Sequence, residues 1–255
     1  MKSIAIGVAA AALLALPSHA AVYAHYSFDT DYTDDSGNGR DATLVDTGTI
    51  GDSGITTTAG DYVFGGGAMN FSAERDYLDV AMATFSSGSA YTISFWAQKT
   101  EGDTGGAADW DMVIGDRGNT NFFIGLNDTT GAGFRWRSSS SAAERQAEFT
   151  VAKDYDWHLY TLVASGTTIT LYVDGVLVGS DSGNSTGFQY NTIGEAYPST
   201  NDFDFHGQID ELWVFDEALD ETAVSNLYNY NSVIPEPSCL LLGAAGLVLT
   251  ARRRR

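Results

Sequence analysis

The chain has 255 residues, 33 acidic against 13 basic, and a formal net charge of −20. A surface of that sign repels nucleic acid and anionic lipid and attracts divalent cations. With 28 glycines, 12% aromatic residues and one cysteine, the composition points to a turn-rich strand protein without a disulfide.

The elements follow from the N-terminus. Lys2, an apolar run over Ile4–Leu16, the breaker Pro17 and the small-residue ending Ser18-His19-Ala20 predict a signal peptide over 1–20, removed by signal peptidase. Strands are predicted over Val22–Phe28, Tyr91–Gln98, Met112–Gly115, Phe122–Leu126, Gly133–Arg137, Trp157–Ala164, Thr168–Val173, Val176–Ser180 and Gln208–Phe215. In the second of these, Tyr91, Ile93, Phe95 and Ala97 share one face, and Thr92, Ser94, Trp96 and Gln98 the other. Asp174-Gly175 is the two-residue centre of a type I′ hairpin turn. Gly102–Ala108 and Ser138–Ala143 read as loops. One short helix is predicted over Glu221–Tyr228, capped by Asp220, with Val224, Leu227 and Tyr228 on one face.

The C-terminal segment holds Pro235-Glu236-Pro237, an apolar run from Cys239 to Ala251, and Arg252, Arg253, Arg254 and Arg255. The run is short for a free-standing span, which needs about 20 apolar residues. The arginine block resists translocation and keeps the end cytoplasmic while the run sits in the membrane. Order, spacing and position resemble the PEP-CTERM sorting signal. The resemblance implies transient membrane insertion through a tail helix and cutting by an exosortase near Pro-Glu-Pro. It also implies delivery to the envelope, surface or extracellular matrix of a bacterium. The chain therefore divides into a signal peptide (1–20), one domain (21–231) and a sorting tail (232–255).

A second ordered set of motifs spans the domain. It runs from His25-Tyr-Ser-Phe-Asp29 and Asp35-Ser-Gly-Asn-Gly39 to Gly67-Ala-Met-Asn-Phe71, Tyr77-Leu-Asp-Val80 and Tyr91-Thr-Ile-Ser-Phe-Trp96. It continues with Trp157-His158, Leu171-Tyr-Val-Asp-Gly175, Gly207-Gln-Ile-Asp-Glu211 and Ala218-Leu219. The set resembles LamG-like, concanavalin A-like jelly-roll domains. The resemblance implies an all-β, two-sheet antiparallel sandwich with one short C-terminal helix and a separate apolar tail helix. It also implies a structural Ca²⁺ near the aspartate of Gly-x-Ile-Asp-Glu. By position that aspartate is Asp210, with Asp29 as partner from the first strand and Asp35 as a third candidate. Asp35 has an alternative reading as an Asx-turn carboxylate. Asp29-Thr-Asp-Tyr-Thr-Asp opens like an EF-hand loop, but no glutamate follows at the twelfth position.

Little in the chain suggests catalysis. Retaining glycosidases need two carboxylates about 5–5.5 Å apart. The strand strings Glu-x-Asp-x-x-Glu and Glu-x-Asp-x-Glu are absent, and Asp202-Phe-Asp204 and Asp109-Trp-Asp111 supply no glutamate. No spacing gathers His25, His158 and His206, and no Gly-x-Ser-x-Gly elbow occurs. Binding is the expected function. Trp96, Trp110, Trp136 and Tyr197 are candidate stacking platforms. Gly133-Phe-Arg-Trp-Arg137 sets Phe134 and Trp136 on one face and Arg135 and Arg137 on the other, where they suit an anionic sugar. The plainer alternative places these aromatics in the core. The expected partner is an extracellular polysaccharide or, alternatively, a surface protein.

Overall fold

The computed structural model describes residues 21–47, 52–72, 75–100, 110–127, 132–138, 145–183, 186–196 and 203–233. The signal segment 1–20, the loop 102–108, most of the loop 138–143, Tyr197 and the sorting tail from residue 234 onward lie outside the described residues.

Fifteen strands and one helix follow among the described residues. They begin with β1 (Val22–Tyr26), β2 (Thr43–Val45), β3 (Gly54–Thr56), β4 (Ala68–Phe71), β5 (Tyr77–Phe85) and β6 (Gly88–Lys99). Next come β7 (Asp111–Gly115), β8 (Phe123–Leu126), β9 (Gly133–Ser138), β10 (Arg145–Thr150) and β11 (His158–Gly166). The chain then forms β12 (Thr168–Val173), β13 (Val176–Ser182), β14 (Phe188–Ile193), β15 (Gly207–Phe215) and α1 (Glu221–Tyr230).

Two antiparallel sheets make a jelly-roll sandwich. The eight-stranded sheet runs β13-β12-β11-β6-β15-β4-β3, with β1 also on β15. The seven-stranded sheet runs β10-β9-β8-β7-β14-β5-β2. Strands distant in sequence are neighbours in space, so long-range pairing defines both sheets. The predicted alternation in β6 is observed. Tyr91, Ile93, Phe95 and Ala97 point into the core between the sheets. From the other sheet Ile124, Leu126, Phe134 and Trp136 meet them.

The opposite face of β6 is not solvent. Helix α1 and the segment before it cover it, burying Trp96, Leu159, Val163, Phe215, Leu219, Val224 and Leu227 in a second apolar cluster. The buried hydroxyls under this cover are paired. Ser94 bonds Thr161 at 2.7 Å, and Thr92 donates to the Glu217 carbonyl and accepts from Leu219 N. Asp220 caps α1 as predicted, accepting from Ala223 N at 2.8 Å. The helix ends at Asn231, in the left-handed region at φ 49°. Trp213 donates to its side chain at 2.9 Å.

The β12–β13 turn has Asp174 at φ 53° and Gly175 at φ 75°, the two positive angles a type I′ turn demands. Asp174 also accepts from Leu159 N and bonds the His158 ring, which ties the turn to β11. Burial works against a charged His158, but its bonds to Asp174 and Asp154 outweigh this and raise its pKa. Strand β15 carries a bulge between Asp210 and Trp213, with Glu211 at φ 50°. The bulge turns Glu211 toward His25, whose Nε2 lies 2.6 Å from it and whose ring stacks on Trp213. Among the described residues, no helix is long and apolar enough to cross a membrane.

Candidate functional site

The acids expected to hold calcium have other tasks. Asp210 is fully buried, and its Oδ2 accepts from Val63 N at 2.7 Å and Phe64 N at 3.0 Å. Burial pushes its carboxyl up to about 7 against those two bonds. Asp29 accepts from Gly66 N in the same loop between β3 and β4. Gly65, at φ 61°, leaves room for that carboxylate, which any Cβ at 65 would overlap. Asp35 accepts from the Ser27 hydroxyl at 2.6 Å. The Asx-turn role falls one residue earlier. Asp34 accepts from Ser36 N, and also from His25 N and Arg40 N. Burial opposes ionisation of Asp34, yet these bonds hold its carboxyl below the usual range. Asp29, Asp35 and Asp210 do not gather their oxygens around one point.

The aromatic candidates divide. Trp96 is buried beneath α1 and stacks on Tyr228 with ring centroids 5.6 Å apart. Trp136 is fully buried in the central core, its Nε1 donating to the Tyr91 hydroxyl at 3.1 Å. Neither is a surface platform, so the alternative core reading holds for both. Tyr197 lies outside the described residues. Trp110 is buried, but on the outer side of the seven-stranded sheet, and the Arg135 guanidinium sits 4.1 Å over its ring.

That outer side is where polar and aromatic groups converge. Phe134 and Trp136 point inward, so Arg135 and Arg137 point outward. Across the rungs they face Gly125 and Phe123, and Gly125 faces Met112. Trp110, Met112, Phe123, Ala196 and Phe203 form an apolar patch beside the two arginines. Arg137 lies 5.9 Å from the Phe123 ring centre. Arg135 donates to Glu148 on β10 at 2.7 Å.

A second arginine cluster lies toward the β7, β14 and β5 side of this sheet. Arg117 donates through Nε to Glu195 at 3.0 Å and through a terminal nitrogen to the Tyr77 hydroxyl at 3.1 Å. Its guanidinium stacks 4.3 Å over the Tyr77 ring, and its backbone N–H donates to the Asn191 side-chain oxygen. Gln189, two residues before Asn191 on the same face of β14, donates to Asp116. Burial raises the pKa of Glu195, while the Arg117 charge and hydrogen bond work to lower it. The guanidinium plane is therefore fixed before any ligand arrives. A separate depression at the sandwich rim is lined by Lys99, Asn127, Lys153, Asp154, Asp156 and Tyr160.

Arg117, Glu195, Tyr77, Gln189 and Asn191 were not among the residues expected from sequence. The alternation Phe188-Gln-Tyr-Asn-Thr-Ile193 carries a signal for the two amides, because Phe188 and Tyr190 are core. Of the acid pairs considered for catalysis, Asp109 and Asp202 lie outside the described residues. Asp111 is paired with Lys99, and Asp204 accepts from Arg75 N at 2.6 Å.

Solved structures with the same fold include domain 4 of AbnA, a GH43 extracellular arabinanase from Geobacillus stearothermophilus, in complex with arabinotriose. It superposes with a TM-score of 0.62 and 20% identity, over 83% of this chain and 100% of that domain. The binding domain of Paraclostridial Mosquitocidal Protein 1 gives 0.61 and 19%, over 83% of this chain and 52% of that one. The botulinum neurotoxin serotype D ligand binding domain, in complex with N-acetylneuraminic acid, gives 0.59 and 14%, over 82% and 50%. The chain thus spans about half the length of the toxin domains. No curated protein sequence gives a significant match. A family model described as the concanavalin A-like lectin/glucanases superfamily matches residues 71–225. The chain belongs to the concanavalin A-like lectin/glucanases superfamily.

Proposed function

We propose that the chain is an exported, non-catalytic carbohydrate-binding protein whose ligand lies on the outer face of the seven-stranded sheet. The carrying observation is Arg117, whose guanidinium is held by Glu195 and Tyr77 and whose backbone is held by Asn191, while Gln189 bonds the preceding residue, Asp116. Sugar hydroxyls take paired hydrogen bonds from planar groups, and a carboxylated sugar takes a charge-assisted pair from a guanidinium. Arg135 and Arg137 extend the same chemistry across β9. The bound arabinotriose and N-acetylneuraminic acid of the two structural neighbours support a glycan as ligand class. Three acids of this face serve as partners of basic or amide groups: Glu195 with Arg117, Glu148 with Arg135, Asp116 with Gln189. That use favours binding over hydrolysis.

Export and envelope or matrix association rest on the N-terminal segment and on the Pro235-Glu236-Pro237 to Arg255 tail. Signal peptidase and an exosortase would then be processing partners, with extracellular polysaccharide as the ligand in place. A protein-adhesion reading has one observation of its own. Edge strand β13 exposes Val176, Leu177 and Val178, with Tyr228 and Tyr230 exposed on α1. A glycan array carrying neutral, uronic-acid and sialylated polysaccharides separates the two. The expected result is retention on a restricted set of glycans. An array blank both with and without calcium would move the function to protein adhesion.

A further inference from the structure

Three acids that no motif singled out meet where the two sheets approach one another. Register brings the first two together. In the seven-stranded sheet Val45 of β2 faces Tyr77 of β5, so Asp46 and Asp76 occupy the next rung. Asp52 comes from the other sheet. It precedes β3, and its carbonyl accepts from the Ser72 hydroxyl just beyond β4. One carboxylate oxygen from each of Asp46, Asp52 and Asp76 lies within 4.8 Å of the others.

Acidic clusters are common on a surface this negative, so burial decides. Asp76 is 1% exposed. Its Oδ1 accepts from Thr47 N at 2.6 Å, but its buried Oδ2 has no hydrogen-bond partner. Asp52 likewise holds a buried, unpartnered Oδ1. A buried carboxylate oxygen left without a donor or a cation is strongly unfavourable, and two in one cluster compound the repulsion.

We infer that Asp46, Asp52 and Asp76 form a calcium site that ties the edge of one sheet to the edge of the other. Three carboxylates are hard oxygen donors at a spacing one ion can span, and calcium tolerates irregular sets completed by carbonyls or water. Magnesium demands a tighter octahedron and fits this set less well. The ion would join β2 and β5 to β3, neutralising oxygens the fold otherwise strands. The inference is independent of the carbohydrate reading and places calcium away from Asp29, Asp35 and Asp210.

The test is calorimetric titration of CaCl₂ into the chelator-stripped chain, with MgCl₂ as comparison. One calcium per chain is expected, with Asp52→Asn weakening it by at least about tenfold. Asp52→Asn is the decisive variant, because Asp76→Asn also alters the bond to Thr47. Asp210→Asn should bind calcium as the wild type does. Chelator should lower the melting midpoint of the wild type and leave that of Asp52→Asn unchanged. Absence of calcium binding, unchanged affinity in Asp52→Asn, or loss of binding in Asp210→Asn instead would each overturn the assignment.

Discussion

Trp136→Ala is expected to destabilise the domain by about 3–5 kcal/mol, the range for removing a large buried aromatic side chain. Trp136 is fully buried and lies against Phe188 with ring centroids 6.3 Å apart. Its loss opens a cavity between the sheets and also removes the donor to the Tyr91 hydroxyl. Tyr91 is itself fully buried, and burial raises its pKa far above the ordinary tyrosine value. Its oxygen cannot turn to water in compensation. Trp136→Phe separates the two effects: it restores much of the volume and should still cost about 1–3 kcal/mol for the stranded hydroxyl. Urea denaturation measures both. A midpoint close to wild type in Trp136→Ala would return Trp136 to the surface and to the list of sugar-stacking residues.

Asp210→Asn is expected to gain stability at pH 8 and to flatten the pH dependence of folding. Burial shifts this carboxyl from 3.8 to about 7. Between those values the folded chain keeps a proton that the unfolded chain releases. Stability therefore falls as pH rises through the window, and above about pH 7 the fold carries a buried charge in full. At roughly 1.4 kcal/mol per pH unit the penalty is a few kcal/mol. Asparagine keeps an oxygen for the N–H groups of Val63 and Phe64 and carries no charge. Melting midpoints from pH 4 to 8 check the shape. An Asp210→Asn variant less stable than the wild type at pH 8 would mean that the native carboxylate is charged and compensated there.

The sandwich was legible wherever local pattern and long-range burial agree. The inward set of β6, the Asp174-Gly175 turn and the Asp220 cap are examples, because each depends on one stretch of chain. The other face of β6 was harder. Thr92, Ser94 and Trp96 read as a mixed outer surface until α1, arriving over a hundred residues later, covers them. Short strands β2 and β3 have three residues each and no period to show. The acidic groupings were hidden for a similar reason. Nothing near Asp29 or Asp210 in sequence reveals that both serve the 63–66 loop, and no spacing links Asp46, Asp52 and Asp76. The candidate binding face shows the same division. Arg135 and Arg137 follow from alternation in one strand, whereas Arg117 acquires meaning only from Glu195, Tyr77 and Asn191 on other elements.

Glycan binding on the outer face of the seven-stranded sheet is tested most directly by titrating the best array ligand into the wild type and Arg117→Lys. Lysine keeps the positive charge opposite Glu195, so the fold should melt as before, but it lacks the planar fork. Affinity is expected to fall about tenfold or more, the value of one charge-assisted hydrogen-bond pair. Undiminished affinity in Arg117→Lys, together with loss of binding in Lys153→Ala, would contradict this placement and move the ligand to the rim depression beside Asp154 and Tyr160.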